Sequence, residues 1–353
     1  MSRTFLISRT DAIGDVVLTL PVAGRLKQLF PGCRVLLLGR TYTQAVAEAC
    51  PWIDVFVNFD ALQQLTPVAQ VAALRNTQAD TVLHVFPNQQ LAWLARKAGI
   101  RNRIGTRNRW FHWLTCTSLV ALSRRHSPLH EAQLNLQLLR PLDPTRVVPL
   151  PEVASLVRLT PTVPLRPELQ QLLEARQPGQ LNLILHPRSR GSAREWGLPH
   201  FGVLARLLHQ AGHRVFITGT AAEGEELQAW LQTHAAYLAA DLTGQLGLPE
   251  FLAFIAAADG LVAGSTGPLH LAAALCRHAL GLYPPIRPMH PGRWAPLGPY
   301  AHYLVHDKPN CQDCRTQPAS CVCIKAVEPS AVLTQVVRWV TSEAAGSPSS
   351  NVC

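Results

Sequence analysis

The sequence predicts two α/β domains, each built on a doubly wound parallel sheet with helices on both faces, the two facing a central cleft. Three observations predict it. Short apolar runs of strand length alternate with helix-length runs. That alternation stops in a proline-rich interval and then restarts. The chain, at 353 residues, is long enough for two domains of ordinary size.

In the first half, strands are expected at residues 4–8, 34–38, 54–57 and 81–85, with helices around 16–30, 42–49, 68–76 and 91–98. Prolines then crowd between Pro141 and Pro178, at 141, 144, 149, 151, 161, 164, 167 and 178. Such density breaks helices and stiffens loops, so it reads as an interdomain connection. Strands resume at 181–186, 214–218, 260–263 and 279–283, with helices at 200–211, 223–233, 249–257 and 267–275. A Cys-rich loop follows Val305, a last helix spans 329–343, and the Gly/Ser/Pro-rich end, 344–353, reads as frayed. Two similar halves imply a cleft between them, with ligands at the carboxyl ends of the strands.

Composition narrows the function classes. No apolar run reaches the ~18–20 residues of a membrane span, and the N-terminus lacks the parts of a signal peptide, so a cytosolic chain is expected. The net charge of +10, from 32 Lys and Arg against 22 Asp and Glu, favours anionic partners. The cations are densest from Arg96 to Arg109, including Arg101, Arg103 and Arg107, and again at Arg124-Arg125. That stretch reads as a solvated basic face or an anion-binding one, and no zinc-finger or RNP pattern points to nucleic acid. Of nine cysteines, four cluster as Cys311-x-x-Cys314-x6-Cys321-x-Cys323. Clustered cysteines in a cytosolic chain suggest metal binding over disulfides, but the spacing matches no standard zinc pattern. Reduced structural thiols are the other reading.

Four strand-to-helix turns can carry chemistry. The first, Arg9-Thr10-Asp11-Ala12-Ile13-Gly14-Asp15, has one glycine and two acids where a phosphate loop would carry several glycines. Asp15 reads as a general base or as a helix N-cap, Asp11 as turn chemistry. The second, from His186 to Trp196, supplies guanidinium forks, hydroxyls and permissive backbone suited to phosphate, or is a mobile surface loop. The third, Gly264-Ser265-Thr266-Gly267-Pro268-Leu269-His270, turns on small residues with Pro268 near the start of a helix, a ready anion site; His270 is a ligand or a core residue. In the fourth, Thr218 to Glu223, Glu223 stabilises a helix start or binds ribose hydroxyls.

The stretches "RTDAIGDVVLTLPV", "HPRSRGSAREWGLPHF" and "AGSTGPLHLAAAL", in this order and at these separations, together resemble the bacterial heptosyltransferase family of ADP-heptose:lipopolysaccharide transferases. The resemblance runs from about Thr4 to Val340. It implies a GT-B fold of two Rossmann-like domains: an acceptor-binding domain over 1–160, a linker over 161–178, and a nucleotide-sugar domain over 179–328 carrying the Cys-rich loop 309–325. It also implies inversion at the anomeric carbon, with no catalytic metal and no cofactor. Asp15 matches the catalytic acid. Arg194 matches a basic position on the diphosphate, Thr266, Gly267 and His270 the phosphate-binding helix start, and Glu223 a ribose-binding acid. Ser189 falls near hydroxyl positions of the donor loop. Ser265 stands at a donor-contacting position where many relatives carry Asp.

The residues fit such chemistry. The chain has no Asp-x-Asp pair to hold a metal on a diphosphate, so protein cations and helix dipoles must stabilise the leaving group. A carboxylate kept in the acceptor half suits a base that phosphates would repel. Arg101, Arg103 and Arg107 fit an anionic glycolipid acceptor, which places the protein at the cytoplasmic face of the inner membrane. The expected function is thus heptose transfer from ADP-heptose to the lipopolysaccharide inner core. The alternatives are another nucleotide sugar, a protein acceptor, or a non-catalytic nucleotide-sugar-binding module.

Overall fold

The computed structural model describes residues 3–124, 127–144, 147–191, 193–287, 289–308, 311, 312, 314, 317 and 321–344. Arg125 and the tail from 345 onward lie outside the described residues, as does much of the Cys-rich loop. The chain divides into two compact units, Met1–Thr160 and Pro161–Cys353.

Unit 1 holds six parallel strands: β1 (Thr4–Ser8), β2 (Arg34–Gly39), β3 (Val55–Asn58), β4 (Thr81–His84), β5 (Asn102–Thr106) and β6 (Ser118–Val120), in the order β3-β2-β1-β4-β5-β6. Every residue of β1 is buried, as a central strand covered on both faces requires. Unit 2 repeats the plan with β7 (Asn182–His186), β8 (Arg214–Ile217), β9 (Ala240–Asp241), β10 (Gly260–Gly264), β11 (His278–Tyr283) and β12 (Ala301–Val305), ordered β12-β11-β10-β7-β8-β9. Its pairings are likewise parallel.

In both sheets the strand order reverses beside the first strand of the unit, between β1 and β4 and between β7 and β10. Ligands of open α/β sheets bind at the carboxyl edge of such a reversal. All four candidate turns leave the carboxyl ends of β1, β7, β8 and β10, at or next to these points.

Two expectations are corrected. The helix expected over 16–30 is two helices, Ile13–Val17 and Leu20–Leu29, because Pro21 has no N–H to continue the first ladder. The proline-rich interval contains the helices Leu150–Ser155 and Pro167–Glu174, each with proline in its first two positions. There the missing N–H costs nothing and the fixed φ favours the helix, so these prolines start helices rather than break them.

Candidate active site

In unit 1 the site begins one residue past β1. Arg9 still pairs with the neighbouring strand, its N–H donating to Leu38 O at 2.9 Å, and its side chain is 97% removed from solvent, at 3% exposure. A buried guanidinium requires anions, and the turn supplies them. Arg9 Nε sits 2.6 Å from Asp11 Oδ1, Nη2 pairs with Asp15 Oδ1, and Nη1 lies 3.8 Å from Glu131 Oε1. Arg124 grips the same Glu131 at 2.8 Å. Asn135 receives both arginines on Oδ1, and its amide ties back to Leu18 O at 3.0 Å.

Among the described residues two guanidiniums face three carboxylates here. Burial is the main cause that raises the proton affinity of the two aspartates. Burial pushes Asp11 up to about 6, with Arg9 pulling it back and Asp15 adding to the rise. Burial also raises Asp15, opposed by Arg9 and reinforced by Glu131. Asp15 is not an N-cap. That place is Ala12, which makes no side-chain capping bond, and Asp15 stands in the first helical turn. Asp11 does more than shape the turn, since it shares Arg9 with Asp15.

Three turns of unit 2 lie on the adjacent strands β10, β7 and β8. At the third turn, Thr266 caps the Gly267–Ala274 helix through its backbone, with no side-chain capping bond. Its buried Oγ1 has no hydrogen-bond partner among the described residues, and neither does the buried Nε of Arg194. A Cβ on Gly264 would lie 3.5 Å from Arg194 O, so these two loops are in close contact. His270, in the first turn of that helix, is buried. Ser265 is half-buried near Tyr283, whose hydroxyl donates to Trp294 O at 2.5 Å.

The remaining donor-side candidates serve their own loops. Ser189 Oγ lies 3.1 Å from Ala193 O and 3.2 Å from Glu195 Oε1. Glu223 closes a capping box: its Oε2 accepts from Thr220 N at 2.7 Å and Thr220 Oγ1 at 2.9 Å. Of the two readings of Glu223, the helix start is the one its contacts describe. Arg194 Nη2 donates to Cys314 O at 3.1 Å, which ties the Cys-rich loop to this arginine.

The basic stretch separates. Arg103 is half-buried and binds backbone carbonyls of Ile100, Arg101 and Thr115, so it stitches β5 to its neighbours. Arg101 precedes β5 and Arg107 follows it, about 20 Å apart for an extended segment of this length. Only Arg107 shares the carboxyl edge with Asp15. Cys311, Cys314, Cys321 and Cys323 are all buried, in the apolar cluster that contains Trp196, Ile324 and Trp339. Cys311 and Cys323 sulfurs are 3.6 Å apart, and burial with the Cys311 thiol pushes Cys323 up to about 11. Among the described residues no three His, Cys, Asp or Glu side chains are disposed to hold a metal ion.

Residues 68–325 match the description Glycosyltransferase family 9 (heptosyltransferase), more than half of the chain. The chain belongs to that family. A Haemophilus influenzae protein with a provisional glycosyltransferase name is 28% identical to this family 9 chain over 317 residues, 86% of this chain and 89% of that one. E. coli ADP-heptose lipopolysaccharide heptosyltransferase II has the same fold, with a TM-score of 0.73 at 19% identity over 97% of this chain and 99% of that one. E. coli heptosyltransferase WaaC with ADP gives 0.66 at 17% identity over 95% and 99%. The fold of this family 9 glycosyltransferase is accordingly GT-B, with a Rossmann-like sheet in each unit.

Sequence reasoning missed Arg9, Glu131 and Asn135, and it read Arg124 only as part of a basic stretch. Only Arg9 left a signal: an arginine directly after five apolar-patterned residues, before two acids. The others come from segments more than a hundred residues away, which no local pattern joins to β1.

Proposed function

We propose that this chain transfers a heptosyl group from ADP-heptose to the lipopolysaccharide inner core, with inversion and with no metal on the diphosphate. The observation that carries the reading is the Arg9-paired carboxylate of Asp15 at the carboxyl edge of β1, whose proton affinity burial raises. Such a group is a stronger base than an ordinary aspartate and is held in place by its partner. Asp15 takes the proton of the acceptor hydroxyl as that oxygen bonds the anomeric carbon. The bond from that carbon to the diphosphate breaks on the opposite side, its electron pair leaving with ADP. Arg194, the Thr266 hydroxyl and the Gly267–Ala274 helix start supply donors to the departing charge. Glu223 and Ser189 complete the donor loops, Glu223 toward the ribose. The E. coli relatives of this fold that act on or hold ADP-heptose and ADP support the same donor. Arg107 serves an anionic acceptor at the cytoplasmic face of the membrane.

The test is a transfer assay paired with ADP titration. Asp15→Ala is expected to lower transfer by ~10²–10⁴-fold while ADP binds as before. Arg194→Ala weakens ADP binding. Survival of activity within about tenfold in Asp15→Ala would remove the base assignment, and equal loss of ADP affinity in both variants would remove the division of labour. A calorimetric preference for UDP or GDP over ADP would overturn the donor, and Ser265 is the first position to examine in that case.

A further inference from the structure

The helix Trp110–Thr115 presents two faces with opposite character. Phe111, His112 and Thr115 are buried, while Trp110, Trp113 and Leu114 are 64%, 60% and 54% exposed. Large side chains at positions i, i+3 and i+4 of one short helix form a continuous apolar ridge. Leaving two indoles and a leucine in water is costly without a partner surface, and grouped exposure of this kind marks an interaction site.

The ridge is held rigidly. Gly105 of β5 admits the helix so closely that a Cβ there would sit 2.7 Å from His112 Nδ1 and 2.8 Å from Cys116 Sγ. His112 Nδ1 is 2.9 Å from Thr106 O. Arg96 donates to Leu114 O. Trp113 Nε1 donates to Arg107 O at 2.9 Å, so that indole can leave water without stranding its one polar hydrogen.

The charge around the ridge is one-signed. Between Asp80 and Glu131 the chain has eight Lys and Arg and no Asp or Glu over fifty residues. Arg96, Lys97, Arg107 and Arg109 are exposed. Two exposed indoles, one with its N–H satisfied, a leucine on the same face and flanking guanidiniums fit the interface of a bilayer bearing anionic headgroups. No helix among the described residues is long and apolar enough to cross a membrane, so attachment of this kind would be peripheral.

We propose that the Trp110–Thr115 helix and its arginine collar form a docking surface for an anionic lipid bilayer. This goes beyond the transfer reading, because it names a surface the chain uses whatever sugar it moves. The indoles and Leu114 enter the headgroup zone, and Arg107 and Arg109 lie on lipid phosphates.

Flotation of the whole chain with vesicles tests it. Binding is expected to vesicles of phosphatidylcholine containing about a third phosphatidylglycerol, and to weaken in high salt. Tryptophan emission should shift to shorter wavelength on binding. The triple variant Trp110→Ser, Trp113→Ser, Leu114→Ser should bind at least tenfold more weakly while remaining folded, as a retained cooperative thermal transition reports, since all three side chains are more than half exposed. Arg109→Gln should weaken binding about fivefold. Transfer to a water-soluble acceptor fragment should be unaffected by the triple variant, which separates this surface from the catalytic assignment. The proposal is overturned if the wild-type chain ignores anionic vesicles or if the triple variant binds them as well as wild type. It is also overturned if the triple variant instead changes the sedimentation coefficient, which would make the ridge a contact between copies.

Discussion

An acid at a turn shaped for phosphate makes physical sense once Arg9 is seen beneath it. Arg9 offsets one of the two negative charges of Asp11 and Asp15, and Glu131, shared between Arg9 and Arg124, adds a third acid to the network. Because Glu131 raises the proton affinity of Asp15, Glu131→Gln is expected to lower it. The acid limb of the kcat/KM profile then moves to lower pH, and an unmoved limb would assign that limb to another group. Asp11 gives a stability signature. Its folded value of about 6 exceeds the ~3.9 of an unfolded aspartate, so the folded chain holds more protons in between. That contribution is fully present below about pH 4 and is lost as pH rises to about 6. Asp11→Asn should flatten this slope in denaturant midpoints measured across the window. Asp15 was legible in the sequence from its motif. The shift in its chemistry was not, because it depends first on burial and then on Arg9 and on Glu131, which only the folded chain brings together.

The elements that the apolar pattern marks are the central ones. β1, β7 and β11 are buried throughout and read as unbroken apolar runs. β5 escaped notice because it lies inside the basic stretch, where Asn102 and Arg103 hide a strand pairing with β4 and β6. β6, with three residues, and β12, half exposed at its sheet edge, carry too little apolar signal to register. The prolines misled for a related reason. A proline forbids the residue before it from continuing a helix yet favours a new helix after it, and only the paths of the flanking segments decide which applies. Gly105 makes the packing of β5 testable. Gly105→Ala drives a Cβ against His112 and Cys116, a rigid contact on both sides. It should destabilise unit 1 by ~1–3 kcal/mol, seen as an earlier first transition in chemical denaturation.

The two units are built alike, each a six-stranded parallel sheet with its strand order reversing next to its first strand. Each reversal carries different residues: a carboxylate–guanidinium network in one and, in the other, the loops to which we assign the donor diphosphate. If the donor nucleotide belongs to unit 2, ADP should slow amide hydrogen exchange at residues 188–194, 220–223 and 265–270. The 9–15 turn of unit 1 should stay unprotected. Protection at 9–15 with none at 265–270 would reverse the assignment of substrates to units. A nucleotide that binds only the folded state also raises unfolding resistance by mass action, so its effect should be confined to the transition of unit 2.

By itself the sequence determined the two-domain α/β plan, because strand and helix periodicities are local and survive without neighbours. It also located the turns where chemistry could sit, since their residue types are dictated by backbone geometry and charge. Tertiary structure alone decided which side chains share a charge network and which are committed to holding the fold. Arg103 looks like a free surface cation in sequence, but folding directs its guanidinium to backbone carbonyls. Arg9 looks like a surface cation, but the close of β1 buries it against three acids. Proton affinity and pairing depend on distances between segments far apart in the chain, and those distances exist only after the sheet has brought the segments together.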